Sequence, residues 1–219
     1  NNFSIEEYPD LRDPIGLVAF TGWNDAANSA SNAAHFITKS LRARRFASLV
    51  EEPFYDFTKT APEVTVSPVG ERNLSWPNPE FFFVHQTELE RDLVIAIAAE
   101  PDFRWRTFSQ SYVEMFESLN VSLVISMGAL LAESSHRRPI HVVGSSADPD
   151  IEQRLQFRRS SYEGPTGILG VLNFALQQAD VPAISLWASV PHYITETCPP
   201  ATLALLEKLE SIADIHLDT

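Results

Sequence analysis

The amino-acid sequence predicts one α/β domain with three layers, α/β/α, built around a mostly parallel sheet. Apolar runs of strand length, such as Leu93–Ala99, alternate with segments whose apolar residues recur at helical spacing. These runs have no polar face, which indicates strands covered on both sides, as parallel sheets require. With 219 residues, of which 44% are hydrophobic, the chain is long enough to bury a substantial core.

The first elements form a predicted β-α-β unit. Ile15–Phe20 is apolar and compatible with a strand. Ala26–Leu41 has apolar side chains at helical spacing, so we predict a helix there, capped by Asn24 or Asp25. Phe46–Val50 follows as a second strand. A crossover of this kind is expected to be right-handed.

Residues 51–85 interrupt this alternation. Prolines divide the segment into short pieces such as Glu63–Ser67 and Phe81–His85. A segment this short and this rich in proline cannot build a core of its own. We therefore predict a hairpin excursion at about residues 51–85, within a single domain that spans residues 1–219.

The alternation of strands and helices then resumes. We predict strands at Leu93–Ala99, Val121–Met127, Pro139–Val143 and Ala183–Val190, and helices at Phe108–Leu119, Gly167–Ala179 and Thr202–Ile212. Gly144–Asp150 is predicted to be a loop.

Composition excludes several classes of protein. The net charge of -13 argues against nucleic-acid binding, which needs clustered Lys and Arg, and against binding to anionic membranes. No apolar run approaches the roughly 20 residues of a membrane span. One cysteine, Cys198, allows no intrachain disulfide and fits a reducing cytoplasm, so we expect a cytoplasmic protein. The six histidines include no pair at the helical spacing of a metal site, and no metal, flavin or nicotinamide cofactor is indicated.

Four short polar clusters follow apolar runs, at residues 22–25, 100–106, 162–167 and 191–193. If the runs are parallel strands, these clusters meet along one edge of the sheet, where open α/β folds bind ligands. The predicted crevice consists of Trp23, Asn24, Asp25, Glu100, Trp105, Arg106, Tyr162, Glu163, Gly164, Thr166, His192 and Tyr193.

Two carboxylates in this set have a structural and a chemical interpretation. Asp25 at the start of the first helix is either a cap, which we favour, or a general base. Glu100 lies at a strand end, and Arg104 or Arg106 could compensate its charge. In the structural interpretation this buried ion pair only fixes the loop; in the chemical one, the arginine that is not paired with Glu100 binds an anion.

The remaining clusters give weaker signals. Gly164–Gly167 is an ordinary helix entry that could also bind an anion through its amides, but it lacks the lysine and glycine spacing of nucleotide loops. His136 and His192 are either proton carriers or, more commonly for lone histidines, structural hydrogen-bonding groups. The absence of a Gly-x-Ser-x-Gly motif removes support for an α/β-hydrolase triad.

The order of these segments resembles the bacterial, especially actinobacterial, branch of the proteasome assembly chaperone 2 family. The resemblance runs from the first strand to about Leu206 and rests on Gly22–Ala27, Phe54–Thr58, Arg72–Pro77, Glu100–Pro101 with Trp105–Arg106, Tyr162–Gly167, and Ser185–Ala188 with Val190–Tyr193. One stretch departs from the family's Val-Pro-His-Thr-Arg-Pro type sequence, because only His136, Arg138 and Pro139 match it in residues 134–139.

The resemblance implies a fold like that of nucleoside phosphorylases and related hydrolases, and self-association, with a trimer as one candidate state. It implies no reaction. Eukaryotic relatives bind proteasome subunits before the ring closes, so proteasome subunits are the protein partners that the resemblance suggests.

Two functions follow from these observations. The first is a non-enzymatic, oligomeric binding or assembly protein with a polar crevice at the carboxyl edge of the sheet. The alternative is a small-molecule enzyme or sensor, similar to nucleoside phosphorylases or hydrolases, that acts on a polar, partly anionic ligand in that crevice. Convergence of the Asp25, Glu100 and Glu163 carboxylates on one site would favour the alternative.

Overall fold

The computed structural model describes residues 2–86, 91–157, 162–215 and 217. The strands are β1 (Phe3–Ile5), β2 (Ile15–Thr21), β3 (Arg44–Leu49), β4 (Glu63–Val66), β5 (Arg72–Ser75), β6 (Glu80–Val84), β7 (Leu93–Ala99), β8 (Leu123–Ala132), β9 (Val142–Ser146) and β10 (Ala183–Pro191). The helices are α1 (Ser29–Ser40), α2 (Trp105–Ser118), α3 (Pro149–Leu155), α4 (Ile168–Gln178) and α5 (Pro199–Ala213), and a 3-10 turn at Ala26–Asn28 precedes α1.

Eight of these strands form one sheet in the order β1-β3-β6-β7-β2-β8-β10-β9. The four adjacent strands β7, β2, β8 and β10 are parallel, whereas the pairs toward both edges are antiparallel. Helices cover both faces of this sheet, so the predicted α/β/α fold class is confirmed. The sheet is parallel at its centre and antiparallel toward both edges.

Strand β2 shows why the sheet is covered on both faces. Leu17 and Ala19 belong to one apolar core, which α1 and α5 close with side chains such as Ala33 and Leu205. Val18 and Phe20 point to the opposite core, closed by α2 and α4. All four β2 side chains are buried, which explains the continuous apolar run in the sequence.

The predicted β-α-β unit is wider than a simple crossover. Its second strand, β3, is separated from β2 by β6 and β7, and it pairs with β6 in antiparallel fashion. Residues 51–85 provide both the exposed hairpin β4–β5 and the strand β6, which fills part of this gap in the sheet. The proline-rich segment therefore contributes to the main sheet as well as projecting from it.

The structure corrects the prediction of a loop at Gly144–Asp150. Strand β9 reaches Ser146, and α3 begins at Pro149. The Asp148 carboxylate caps α3 by accepting hydrogen bonds from the amides of Asp150 and Ile151, at 2.8 and 3.3 Å. An N-cap aspartate followed by proline is a recognisable helix start, so the sequence did contain the signal.

Across the described ranges, no helix is both long and apolar enough to cross a membrane.

Candidate functional site

A groove with a volume of about 1400 Å³ opens between α4 and the uncovered face of strands β9 and β10. Its carboxyl-edge rim contains residues of the loop after β2, the end of β8 and the segment that enters α4. We refer to this feature as the groove. Its apolar lining includes Trp23, Leu130, Leu131, Val143, Tyr162 and Trp187.

The groove lies where α4 leaves one face of β10 only partly covered. Along β10, alternate residues such as Leu186 are buried against the α5 side, while Trp187 on the other face remains half-buried. The Trp187 ring packs against Gly128 of β8, and the Leu169 side chain of α4 approaches the same glycine. A Cβ at Gly128 would lie only 2.7 Å from the Trp187 ring, so glycine is required for this close approach.

Neutral polar groups form part of the groove floor. Trp187 Nε1 donates to Ser185 Oγ at 2.8 Å, and the Ser185 and Ser126 hydroxyl oxygens lie 3.3 Å apart. The Asn173 side-chain amide reaches the Ser126 hydroxyl at 3.0 Å. Among the described residues, the lining contains no Lys or Arg. The floor therefore offers hydroxyl and amide groups, and no described cation that would bind a phosphate.

The Glu100 carboxylate connects the β2 loop to the start of α4. Its Oε1 accepts a hydrogen bond from Asn24 Nδ2 and another from the Ile168 amide, both at 3.0 Å. Its Oε2 accepts from the Trp23 amide at 3.2 Å. The chain's own carboxylate thus occupies the amide-rich start of α4, where an anion would otherwise bind. In the described part of the chain Glu100 forms no ion pair with either nearby arginine.

Glu100 and Trp105 line a second, smaller cavity of about 440 Å³. Trp105 Nε1 donates to the Pro101 carbonyl at 2.6 Å. The cation of Lys59 lies 3.8 Å from Asp102 Oδ1. This cavity is therefore small and lined by groups that already interact with one another.

The Asp25 carboxylate is buried and caps α1. It accepts hydrogen bonds from the Ala30 amide at 2.7 Å, the Ser31 amide at 3.3 Å and the Ser31 hydroxyl at 2.5 Å. Burial raises the pKa of Asp25 above its ordinary value, and these hydrogen bonds, with the nearby His35, oppose that rise. This geometry matches the capping interpretation of Asp25 and turns its side chain away from the groove.

Two aromatic residues at the carboxyl edge are held by loop contacts. The Tyr193 hydroxyl lies 2.7 Å from the His136 amide and 2.8 Å from its Nδ1. This contact joins the end of β10 to the loop after β8. The Tyr162 hydroxyl donates to the Pro165 carbonyl at 2.9 Å.

The twelve predicted crevice residues separate into three sets. The groove is lined by Trp23, Asn24, Tyr162, Thr166 and His192. The smaller cavity is lined by Glu100 and Trp105. The linings of these two cavities do not include Asp25, Arg106, Glu163, Gly164 or Tyr193. The Asp25 and Glu100 carboxylates are directed at the starts of two different helices, so they do not share one site.

Sequence reasoning missed the residues that form the groove floor and one wall. They are Ser185 and Trp187 on β10, Asn173 on α4, Leu130 and Leu131 on β8, and Val143 on β9. The signal was the alternation of Ser185, Trp187 and Ser189 with Leu186, Ala188 and Val190, which marks a strand with one covered and one open face. Within the described ranges, no group of three or more His, Cys, Asp or Glu residues is placed to hold a metal ion.

Comparison with known proteins identifies the family of similar chains. The model of the PAC2 family matches residues 19–219. Among curated proteins, none matches the chain significantly.

Solved structures of the same architecture come from bacteria and archaea. A PAC2 family protein from Streptomyces avermitilis is 41% identical, with a TM-score of 0.90 over 94% of this chain and 88% of that one. A proteasome-assembly chaperone homologue from Mycobacterium tuberculosis is 34% identical, with a TM-score of 0.85 over 93% of this chain and 86% of that one. An archaeal proteasome activator from Pyrococcus furiosus shares the fold at 19% identity, with a TM-score of 0.78 over 99% of this chain and 90% of that one.

Proposed function

Because the chain belongs to the PAC2 family, we propose that it is a non-enzymatic, self-associating protein that binds proteasome subunits during their assembly. The relative from Mycobacterium tuberculosis is described as a proteasome-assembly chaperone homologue. The cytoplasmic location expected from the single cysteine, Cys198, belongs to the same proposal.

The observation that carries this proposal is the groove and its exposed apolar rim. Trp23 is 69% exposed, and Leu130, Leu131, Val143 and Tyr162 are also exposed around the same opening. Large apolar side chains grouped at one concave surface are typical of protein-binding sites. A protein partner that covers these side chains would remove their apolar surface from water.

The two carboxylates with the best chemical prospects already have structural roles. Asp25 accepts three hydrogen bonds at the start of α1. Glu100 accepts three from the β2 loop and the start of α4. A general base must reach a substrate proton, and neither carboxylate faces the groove with a free oxygen. This distribution supports binding over catalysis.

Assembly of purified proteasome subunits tests the proposal. Subunits from the organism that encodes the chain would be mixed with and without it, and the complexes separated by native electrophoresis and weighed by light scattering. We expect the chain to co-migrate with free subunits or early intermediates and to be absent from the completed particle. If it neither binds subunits nor changes the rate of assembly, the proposal is wrong.

A second candidate, a small-molecule sensor in the same groove, is favoured by one observation. Five predicted crevice residues, Trp23, Asn24, Tyr162, Thr166 and His192, line one cavity that is larger than the usual 300–1,000 Å³ of ligand sites. Thermal-shift measurements with nucleosides and related uncharged ligands test it. A dose-dependent rise in Tm that Thr166→Val removes would support this candidate, whereas flat responses would exclude these ligands.

A further inference from the structure

The hairpin β4–β5 has an apolar face that nothing in the described structure covers. In its register Val64 is opposite Leu74, and Val66 is opposite Arg72, so these four side chains share one face. Glu63, Thr65, Asn73 and Ser75 share the other face. All eight residues are exposed. Two short strands with one apolar face are marginal in water, and such a hairpin gains stability when that face is covered.

The hairpin is anchored at its base and projects beyond it. Trp76, which follows β5, contacts the Phe57 ring edge-on with 4.9 Å between ring centroids. At the tip, Val69 is 82% exposed. The apolar face is therefore carried on a short arm whose attachment is fixed by an aromatic contact.

The groove has complementary chemistry, including an acidic end. Asp148 and Asp180 lie where β9 ends and β10 begins, and both line the groove. The carboxyl end of α4, which carries the negative end of the helix dipole, lies at the same place. Across the described ranges, neither aspartate has an ion-pair partner. A cation flanked by apolar side chains would fit this end of the groove.

We propose that the apolar face of hairpin β4–β5 docks in the groove of a second copy of this chain, with Arg72 facing Asp180. This inference rests on the proposed function, because self-association is part of it, and it assigns the groove to self-association rather than to the binding of proteasome subunits. The hairpin belongs to the segment that connects β3 to β6, whereas the groove lies at β9 and β10, and β7, β2 and β8 separate β6 from β10 in the sheet. Each copy thus offers one hairpin and one groove, and the contact is head-to-tail, which generates a ring when the rotation closes.

Charge and size favour a second copy as the occupant. The chain has 29 acidic and 16 basic residues, so an arginine on an apolar arm would meet an acidic surface on any copy. The floor residues from Ser185 to Ser189 span about 13 Å, and each four-residue hairpin strand is of similar length.

Light scattering after gel filtration, combined with sedimentation, tests the contact. We expect wild-type protein to self-associate and Arg72→Glu to weaken its association at least about tenfold, because a like charge would then face Asp180. Asp180→Lys should weaken association similarly. The double variant Arg72→Glu/Asp180→Lys should restore it, since every interface again pairs opposite charges. Recovery of this kind cannot arise from misfolding.

Asn73→Glu is the matched control, because it adds negative charge to the polar face of the same hairpin; its association should stay at the wild-type level. An oligomer that survives Arg72→Glu, or a double variant that stays dissociated, overturns the docking inference while leaving the proposed function intact. Association that is unaffected by Asp180→Lys, while binding to purified proteasome subunits is lost, would assign the groove to the subunits instead. A wild-type chain that is monomeric at every concentration contradicts self-association itself.

Discussion

The carboxylate of Glu100 lies 3.0 Å from the side-chain nitrogen of Asn24 and the same distance from the Ile168 amide. One side chain at the end of β7 thus fixes both the loop after β2 and the start of α4. These two segments form the carboxyl-edge rim of the groove. The shape of the rim therefore depends on a carboxylate that lies behind it.

Glu100→Gln is expected to destabilise the fold by about 1–3 kcal/mol, because the amide keeps one acceptor oxygen but turns an NH₂ group toward the Trp23 amide. The free energy of unfolding in urea measures this cost. Glu163→Gln is the matched control: Glu163 is exposed, and its loss should change stability by less than about 0.5 kcal/mol. Equal effects of the two substitutions would contradict the bridging role of Glu100.

The layers of the fold were predictable from sequence because the spacing of apolar residues reflects which side chains are buried. Strands such as Leu93–Ala99 are apolar at every position, and the structure places this strand at the predicted residues. The order of the strands was not predictable, since nothing local in β3 indicates that β6 and β7 separate it from β2. Strand neighbours are decided by packing over the whole sheet.

Parallel strands predict that the loops after them meet at one edge of the sheet. They do not predict the directions in which the side chains of those loops point. Ala27 and Asn28 adopt left-handed backbone angles, with φ of 52° and 51°, and this tight turn directs the Asp25 carboxylate back onto α1. Such angles are uncommon outside glycine, and composition gave no sign of them. The groove floor has another cause: an apolar run of strand length predicts a strand covered on both faces, whereas Ser185 and Trp187 lie on a face of β10 that is only partly covered.

Asp25→Ala is expected to cost about 2 kcal/mol, since it leaves the amides of Ala30 and Ser31 without their acceptor in a buried site. Asp25→Asn should cost less, because an amide oxygen can still accept from Ala30. Denaturant unfolding gives both values. If the alanine variant is as stable as the asparagine variant, the cap does not stabilise α1.

The pH dependence of the Asp25 variants has a defined sign. Burial raises the pKa of Asp25 above its ordinary value of 3.8, so the folded protein holds this proton more tightly than the unfolded chain. The contribution of this carboxyl to stability is therefore greatest below pH 3.8 and falls as the pH rises through the folded pKa. Wild-type protein should lose stability relative to Asp25→Asn over that interval.

Asp92 is expected to show the opposite pH dependence. Its carboxylate is buried, which favours the neutral acid, but hydrogen bonds from the Arg12 amide and guanidinium, the Gln86 amide and His85 outweigh burial and lower its pKa. Its stabilising effect is present above its ordinary pKa of 3.8 and is lost as the pH falls through the lower folded value.

Asp92→Asn should therefore destabilise the protein by about 2–3 kcal/mol near neutral pH, and the difference from wild type should shrink as the pH falls below 3.8. Unfolding in urea at a series of pH values measures this difference. A difference that stays constant down to the acid transition would show that the Asp92 charge contributes nothing.

Tyr112→Phe is expected to leave stability unchanged or to raise it by about 1 kcal/mol. The Tyr112 ring is fully buried among aromatic side chains such as Phe20 and Phe108, and its hydroxyl has no hydrogen-bond partner in the described part of the chain. A buried hydroxyl without a partner keeps its desolvation cost, so removing it should not destabilise the fold.

Tyr55→Phe is the matched comparison, because the Tyr55 hydroxyl donates to the Ala99 carbonyl at 2.8 Å, and its loss should cost about 1 kcal/mol. Thermal and urea unfolding of both variants rank them, and the reverse order would mean that the Tyr112 hydroxyl is stabilised by a contact the fold does not show.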